Sequence, residues 1–213
     1  MVVQISSAAQ QLQQQGYVVV PDLMPSSVCA DLIDDLPVSV GSGTRVLLEE
    51  PRYQRLSRSL RSDPSLQFVL RELVAVQAIL FNKTSDHNWS LQMHNDSVFP
   101  IDGEGAWQSA GVKEGLPYVR VPREQTSHFV AVRLCLDDAT EGDLVVEPGS
   151  HWPNQETERA SVVVPVTQGG ALVLNPSIRH GSSKLEVSSA RRVIHIVYAP
   201  PTLPDNYSWC QAI

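Results

Sequence analysis

A histidine and an aspartate lie two positions apart in the middle of the chain. His94 and Asp96 belong to residues 89–96, which we predict to form a strand. Side chains two positions apart on a strand point to the same face, so this imidazole and this carboxylate could bind one metal ion. A three-residue pattern of this kind recurs by chance, and a histidine in a strand is more often structural than a ligand. The pair therefore needs further residues before it indicates a site.

A second imidazole from a distant strand would complete such a site. Two histidines and one carboxylate on one face of an octahedron form the facial triad of non-haem Fe(II) oxygenases, which leaves the opposite face open. Downstream, an apolar stretch that begins at Gly169 leads to His180, so another predicted strand ends by presenting a histidine. Only the fold can bring these positions together.

A two-sheet barrel is the predicted scaffold for these side chains. From residue 76 onward, short apolar or alternating segments are separated by turns. Six or seven strands at this spacing predict a mainly β chain with flanking helices and a jelly-roll core, the cupin-like double-stranded β-helix. The predicted strands span residues 76–81, 89–96, 129–136, 144–147, 161–166, 170–174 and 192–198.

Helices are predicted in the first third of the chain. Asp63 and Pro64 match an N-cap followed by proline at the first helical position, and the apolar spacing after them predicts a packing helix that extends to Val74. Further helices are predicted at residues 5–15, 26–36 and 53–60, with a short strand at 17–20.

One long connection is predicted within the barrel. Residues 100–125 show no regular pattern, and long irregular loops in compact domains are usually functional. We expect this segment to be a lid loop over the mouth of the barrel. The whole chain, residues 1–213, is expected to form one domain, with helical support at about 1–75 and the jelly-roll core at about 76–200.

Composition limits the classes of partner. With 42% hydrophobic and 18% charged residues, the chain can bury a core. A formal net charge of −7 argues against nucleic acid, because phosphate binding needs clustered basic residues. No segment is long and apolar enough to span a bilayer, so no membrane partner is expected. A small molecule is the expected ligand, and the oligomeric state stays open.

The cysteines and the first residues bear on the compartment. Cys29, Cys135 and Cys210 are odd in number and lack C-x-x-C spacing, so neither a disulfide framework nor a thiolate zinc site is supported. The opening residues have neither the basic start nor the apolar run of a secretory signal. We expect reduced thiols in a cytoplasmic protein.

Four short segments follow one another along the chain. They are His94-x-Asp96, Leu-Asp-Asp-Ala at 136–139, Pro-Gly-Ser-His at 148–151, and His180 with Arg191 eleven residues later. In this order they resemble the phytanoyl-CoA dioxygenase family of Fe(II)- and 2-oxoglutarate-dependent oxygenases. The resemblance extends over nearly the whole chain, and the segments together are specific.

The resemblance implies a role for each matching residue. Iron would be bound by His94, Asp96 and His180, and the distal carboxylate of 2-oxoglutarate by Arg191. Ser182, in the His-Gly-Ser segment, would add a hydroxyl donor. An arginine suits a carboxylate because its planar guanidinium donates two parallel hydrogen bonds.

The neighbouring arginine is the alternative anchor. Arg191 and Arg192 are adjacent on a predicted strand, so their side chains point to opposite faces and only one can reach the cavity. The spacing from His180 favours Arg191.

Three further residues are candidates for the pocket. Gln92 shares the predicted strand face of His94 and could present its amide to the co-substrate. Trp89 and Arg133 are candidate substrate contacts, although a core tryptophan and a surface arginine are the simpler interpretations.

The remaining histidines and an acidic pair have simpler interpretations. His151 is expected to stabilise the Pro-Gly turn, and His195 to be packed and hydrogen-bonded, although it could line the pocket from the face of Arg191. Asp137 and Asp138 suit a strand-to-turn transition. Two more histidines, His87 and His128, lie at the edges of predicted segments.

The resemblance also implies a reaction. With Fe(II) and O₂, such an enzyme hydroxylates an aliphatic C–H of a small metabolite while 2-oxoglutarate is converted to succinate and CO₂. Asp96 disfavours a halogenase, because related halogenases have Ala or Gly at that position. A metal enzyme that does not use 2-oxoglutarate and a non-catalytic metabolite-binding barrel are two further functions that the same fold could serve. The identity of the substrate stays open.

Overall fold

A computed structural model of the protein describes residues 2–37, 43–45, 47–138, 143–153, 159–185 and 190–213. Its helices are α1 (Val2–Gln15), α2 (Ser26–Asp34), α3 (Pro51–Ser62), α4 (Gln67–Leu70) and α5 (Arg123–Thr126), with a 3-10 helix at Leu47–Glu49. Its strands are β1 (Tyr17–Val20), β2 (Val74–Lys83), β3 (Leu91–His94), β4 (Val98–Asp102), β5 (Gln108–Lys113), β6 (Leu116–Arg120), β7 (Val130–Cys135), β8 (Leu144–Val146), β9 (Val162–Val164), β10 (Ala171–Leu174), β11 (His180–Ser182), β12 (Arg191–Ala199) and β13 (Ser208–Trp209).

The strands form three antiparallel sheets. The largest has the order β1-β10-β7-β12-β2, the second β3-β11-β8-β9, and the third β13-β4-β6-β5. One hydrophobic cluster joins all three, with Leu172 from the first sheet, Val146 from the second and Phe99 from the third. This is the jelly-roll architecture predicted from the strand spacing, and each of the seven predicted strands has a counterpart.

Strand β12 shows why the largest sheet is buried on both faces. Its residues alternate, so that Ile194 and Ile196 pack in the cluster beneath the helices, while Val197 lies in the cluster within the barrel. The Tyr198 hydroxyl donates to the Ser57 carbonyl at 2.9 Å and ties α3 to the sheet. The central sheet is therefore held from both sides.

The predicted packing helix after Asp63 is wrong in its length. Only Gln67–Leu70 is helical, and Val74 already belongs to β2. The Asp63 carboxylate accepts the Ser65 N–H at 2.8 Å and closes a turn instead of capping a long helix. Pairing of β2 with β12 along almost its whole length overrides the local helical spacing.

The prediction of an irregular segment at 100–125 is also wrong. Strands β5 and β6 form a hairpin there that pairs with β4. Glu114 and Gly115 have φ values of 49° and 82°, the positive values that a two-residue type I′ turn requires. The sequence hid this hairpin because β5 has no aromatic residue and only one β-branched residue, Val112.

Ala139, part of the 136–139 segment, lies outside the described residues. Within the described part of the chain, no helix combines the length and the apolar character needed to cross a membrane.

Candidate active site

His94 and His180 lie directly opposite each other on neighbouring strands. β3 and β11 are antiparallel partners, and His180 pairs with His94 in their register. The centroids of the two rings are 4.4 Å apart. Gly181 permits this close pairing, because a Cβ there would lie 2.7 Å from the Leu91 carbonyl oxygen. His180 begins β11 instead of ending β10, since a turn separates the two strands.

Asp96 reaches the same point from just beyond β3. Its N–H donates to the Pro176 carbonyl at 2.9 Å, which ties this segment to the turn before His180. Its Oδ1 is 3.5 Å from His94 Nε2, and its Oδ2 is 3.7 Å from His180 Nε2. One ligand atom from each of the three residues lies within 4.8 Å of the others. The predicted triad therefore converges, although Asp96 lies past the end of its strand.

Backbone carbonyls determine which ring nitrogens face this point. Nδ1 of His94 is 2.8 Å from the Gln92 carbonyl oxygen, and Nδ1 of His180 is 3.0 Å from that of Ile178. To donate to a carbonyl, each Nδ1 must carry a proton, so Nε2, beside Asp96, is the ring nitrogen that can bind a metal when it carries no proton. Two neutral imidazoles so oriented and one carboxylate fit the donor set of a facial Fe(II) site.

The charges of these groups are mutually dependent. Burial raises the pKa of Asp96, but the neighbouring histidines lower it more, so the net pKa lies well below its usual range. The hydrogen bond with Asp96 raises the pKa of His94, whereas burial lowers that of His180. Asp96 is thus ionised, as a metal ligand must be.

His195 lies behind the carboxylate. Its Nε2 is 3.7 Å from Asp96 Oδ2, and Arg133 Nη1 is 3.4 Å from its Nδ1. Burial, the largest effect, lowers the pKa of His195 to about 3, so the ring is neutral. His195 is both packed, as expected, and part of the cavity wall.

A cavity of about 330 Å³ opens onto the triad. Trp89, Arg133 and His195 belong to its wall, as do the three cations Arg45, Lys113 and Arg120. Within the described part of the chain, Asp96 is the one acid among the residues that line it. The cavity is therefore electropositive in a chain whose net charge is −7.

A second, smaller cavity adjoins the first at Arg133, which lines both. Arg191 lies in the wall of the smaller one, and both arginine residues are buried. Burial and the charge of Arg191 lower the pKa of Arg133 to about 10, so its guanidinium stays charged at neutral pH. The expectation that Arg133 is a surface residue is wrong.

Arg192 points to the other face of β12. Its Nε donates to Asp137 Oδ2 at 2.9 Å, and its backbone N–H donates to the same oxygen at 2.7 Å. Asp137 is thereby explained as the partner of this arginine. Of the two candidate anchors, Arg191 is the one on the interior face.

Lys83 is a cation of the site that sequence analysis missed. It pairs with Arg191 across β2 and β12, and only 1% of its surface is exposed. Its Nζ donates to Ser182 Oγ at 3.0 Å and to the Ser183 carbonyl at 2.6 Å. Burial, then Arg191 and Arg133, lower its pKa to about 7. The only signal in the sequence was a lysine at the end of an apolar strand.

Of the other predicted pocket residues, Trp89 lines the cavity and Gln92 does not. Trp89 lines the cavity that opens onto the triad, and Lys83 Nζ lies 5.3 Å from the centre of its ring. Gln92 requires a correction, because the residue is exposed, lies outside the described cavity wall and contributes its backbone carbonyl to His94. The β3–β11 pairing has a register shift between His94 and Leu91, which breaks the strand alternation at Gln92. His151 was expected to stabilise the Pro-Gly turn, and its Nε2 lies 2.9 Å from the Gln13 carbonyl oxygen, a contact with α1.

A family model, phytanoyl-CoA dioxygenase (PhyH), matches residues 12–193, which is most of the chain. The chain belongs to the phytanoyl-CoA dioxygenase family. The matched region includes the triad, Ser182 and Arg191. Family membership and the His-Asp-His geometry agree with the expected dependence on Fe(II), 2-oxoglutarate and O₂. No curated protein matches the sequence of this family member.

Solved structures share the fold of this phytanoyl-CoA dioxygenase family member. The α-ketoglutarate-dependent epimerase SnoN of nogalamycin biosynthesis has a TM-score of 0.71 at 16% identity, covering 95% of this chain and 85% of its own. The carbocyclase SnoK of the same biosynthesis has a TM-score of 0.66 at 15% identity, covering 91% and 83%. Apo HygX from Streptomyces hygroscopicus has a TM-score of 0.64 at 18% identity, covering 91% of this chain and 85% of its own. At these identities the likeness concerns the fold alone.

The geometry predicts that the triad controls metal affinity. His180→Ala should weaken Fe(II) binding by roughly 100-fold or more, because even residues that only support metal ligands change affinity by about 10–100-fold. Anaerobic equilibrium dialysis of Fe(II) measures this. His128→Ala, at an exposed histidine, is the matched control and should bind Fe(II) like wild type. Equal loss in both variants, or none in His180→Ala, would contradict the assignment.

Proposed function

We propose that this protein is an Fe(II)- and 2-oxoglutarate-dependent dioxygenase that hydroxylates an aliphatic C–H of a small metabolite. The observation that carries the proposal is the convergence of two imidazole Nε2 atoms and the Asp96 carboxylate at a cavity whose wall includes the buried Arg133. A neutral active site would need neither feature.

His94, Asp96 and His180 would hold the iron on one side. When bound, the iron would supply the activation of O₂ that side chains cannot perform. The carbonyls of Gln92 and Ile178 keep both rings in the tautomer that binds metal. Because all three donors come from one wall, the side toward the cavity stays available for co-substrate and substrate.

Arg191, Ser182, Lys83 and Arg133 would hold 2-oxoglutarate. Arg191 and Arg133 lower the pKa of Lys83, so the three positive charges lie close enough together to attract one anion. 2-Oxoglutarate carries one carboxylate at each end, so one end can reach the metal while the other meets Arg191. Lys83 places the Ser182 hydroxyl and adds a positive charge.

Apolar side chains would orient the substrate. Ile79, Phe81 and Leu91 contribute to the wall of the cavity that holds the triad, and they suit an aliphatic group. Tyr118 and Gln77 fix part of the same wall, because Gln77 Nε2 donates to the Tyr118 hydroxyl at 3.0 Å in a buried contact. A C–H bond can thus be held near the metal while water is excluded.

Epimerisation is the second candidate, favoured by the TM-score of 0.71 with the epimerase SnoN. The two outcomes differ in whether oxygen from O₂ enters the product. Hydroxylation places one oxygen atom in the product and the other in succinate, whereas epimerisation changes only stereochemistry.

The reaction is tested under ¹⁸O₂ with purified protein, Fe(II), 2-oxoglutarate and a set of small metabolites. We expect one metabolite to stimulate succinate formation and to gain one labelled oxygen atom, as mass spectrometry would detect. With His180→Ala, the metabolite should neither stimulate succinate formation nor gain labelled oxygen. A stimulating metabolite that gains no label would contradict hydroxylation, and absence of succinate with every metabolite would contradict the dioxygenase itself.

Lys83 predicts a pH dependence of co-substrate binding. In the protein without 2-oxoglutarate, Lys83 loses its proton as the pH rises through about 7. The co-substrate site then loses a positive charge, and its affinity for the 2-oxoglutarate dianion falls. A charge-assisted contact of this kind corresponds to roughly tenfold in affinity. Anaerobic dialysis of labelled 2-oxoglutarate between about pH 6 and about pH 9, a range that spans this pKa, measures the slope.

The control for this prediction is a second lysine. Lys83→Met should bind 2-oxoglutarate weakly at every pH and lose most of the slope, while Lys184→Met, at an exposed lysine, should keep the wild-type profile. An unchanged slope in Lys83→Met would assign the pH dependence elsewhere.

A further inference from the structure

Three cations lie in the outer part of the cavity that opens onto the triad. Arg45, Lys113 and Arg120 line the same cavity as His94 and His180. Lys113 and Arg120 are exposed, and the Arg45 side chain is 26% exposed. This cluster is distinct from the buried cations Lys83 and Arg191, so it is not needed to hold the co-substrate.

The hairpin and its neighbours hold these cations in place. Arg120 Nη1 donates to Ser97 Oγ at 2.8 Å, next to the metal ligand Asp96. Lys113 Nζ lies 5.0 Å from the centre of the Tyr118 ring, whose hydroxyl is fixed by a buried hydrogen bond. Burial, then Arg45 and Arg120, lower the pKa of Lys113, so the positive charges are close enough to repel one another.

Only part of this charge is neutralised by the protein. Glu114 pairs with Arg45 at 3.5 Å and accepts the Arg45 N–H at 2.8 Å. Among the described residues, no carboxylate forms an ion pair with Lys113 or Arg120. Repelling cations that face one cavity are stabilised by an anion placed between them.

We propose that Lys113 and Arg120 bind an anionic group of the substrate, a carboxylate or a phosphate, while its aliphatic part extends toward the metal site. Arg45 adds positive charge at the same place. The inference rests on the proposed function and names the substrate class of that site. A cavity of about 330 Å³ that also receives 2-oxoglutarate leaves room for a small molecule only.

The position of the cluster also suits substrate capture. The chain has a net charge of −7, which on average repels anions. A local group of cations at the exposed part of the cavity reverses this repulsion where an anionic substrate must enter. The contribution is expected to weaken as ionic strength rises, because exposed charges are screened by salt.

Three probes with six carbon atoms each test the inference: hexanoate, hexyl phosphate and the uncharged hexanamide. The protein carries Zn(II) in place of Fe(II) and saturating 2-oxoglutarate, and ligand-observed NMR gives the affinities. We expect hexanoate or hexyl phosphate to bind roughly tenfold more tightly than hexanamide. The tighter of the two anions identifies the group. Equal affinity for all three probes would overturn the inference.

Two double variants localise the effect. Lys113→Gln with Arg120→Gln should abolish most of the preference for anions, and Arg58→Gln with Arg71→Gln, at exposed arginines elsewhere, should retain it. Lys113→Glu with Arg120→Glu should instead favour hexylammonium. A preference that persists in the Gln variant would overturn the assignment.

The same samples separate this inference from the proposed function. Binding of 2-oxoglutarate is followed by its own NMR signals, and circular dichroism checks that each variant is folded. If 2-oxoglutarate binds and the anion preference is absent, the substrate class is wrong and the proposed function stands. If the preference is present without 2-oxoglutarate binding, the proposed function fails and the anion site stands.

Discussion

The pairing of β3 with β11 is the constraint on which the site depends. It places His94 opposite His180. In the turn before β11, the Pro176 carbonyl accepts a hydrogen bond from the Asp96 N–H. The potential ligands His94 and Asp96 thereby meet the distant His180 through this one ladder and the turn beside it. Gly181 is required because β11 approaches β3 so closely. If either strand slipped by one residue, its histidine would turn to the other face and the site would be lost.

The positive charge beside the triad is the second constraint. Lys83, Arg133 and Arg191 are buried cations on the strands that face the triad. Asp143 interacts with Arg191, but the positive charges still lie close enough for Arg191 and Arg133 to lower the pKa of Lys83. A dianionic co-substrate suits such a group of charges.

Much of the fold and the three triad residues could be predicted from the sequence, because strand periodicity and motif order are local properties. The hairpin β5-β6 could not, since its turn depends on positive φ values at Glu114 and Gly115 and its first strand is polar. Lys83 carries no motif, and only its pairing with Arg191 reveals its role. The Gln92 prediction failed because it assumed regular alternation, whereas the pairing of β3 with β11 shifts its register between Leu91 and His94.

The most direct test of the account is whether Fe(II) and 2-oxoglutarate bind together at this site. Anaerobic titration of the apoprotein with both should produce the weak visible charge-transfer band of the chelate in wild type. Arg191→Ala should need far more 2-oxoglutarate to reach the same band, while Arg179→Ala, at an exposed arginine, should match wild type. Iron binding without a band in wild type would contradict the account and indicate a metal enzyme of another kind.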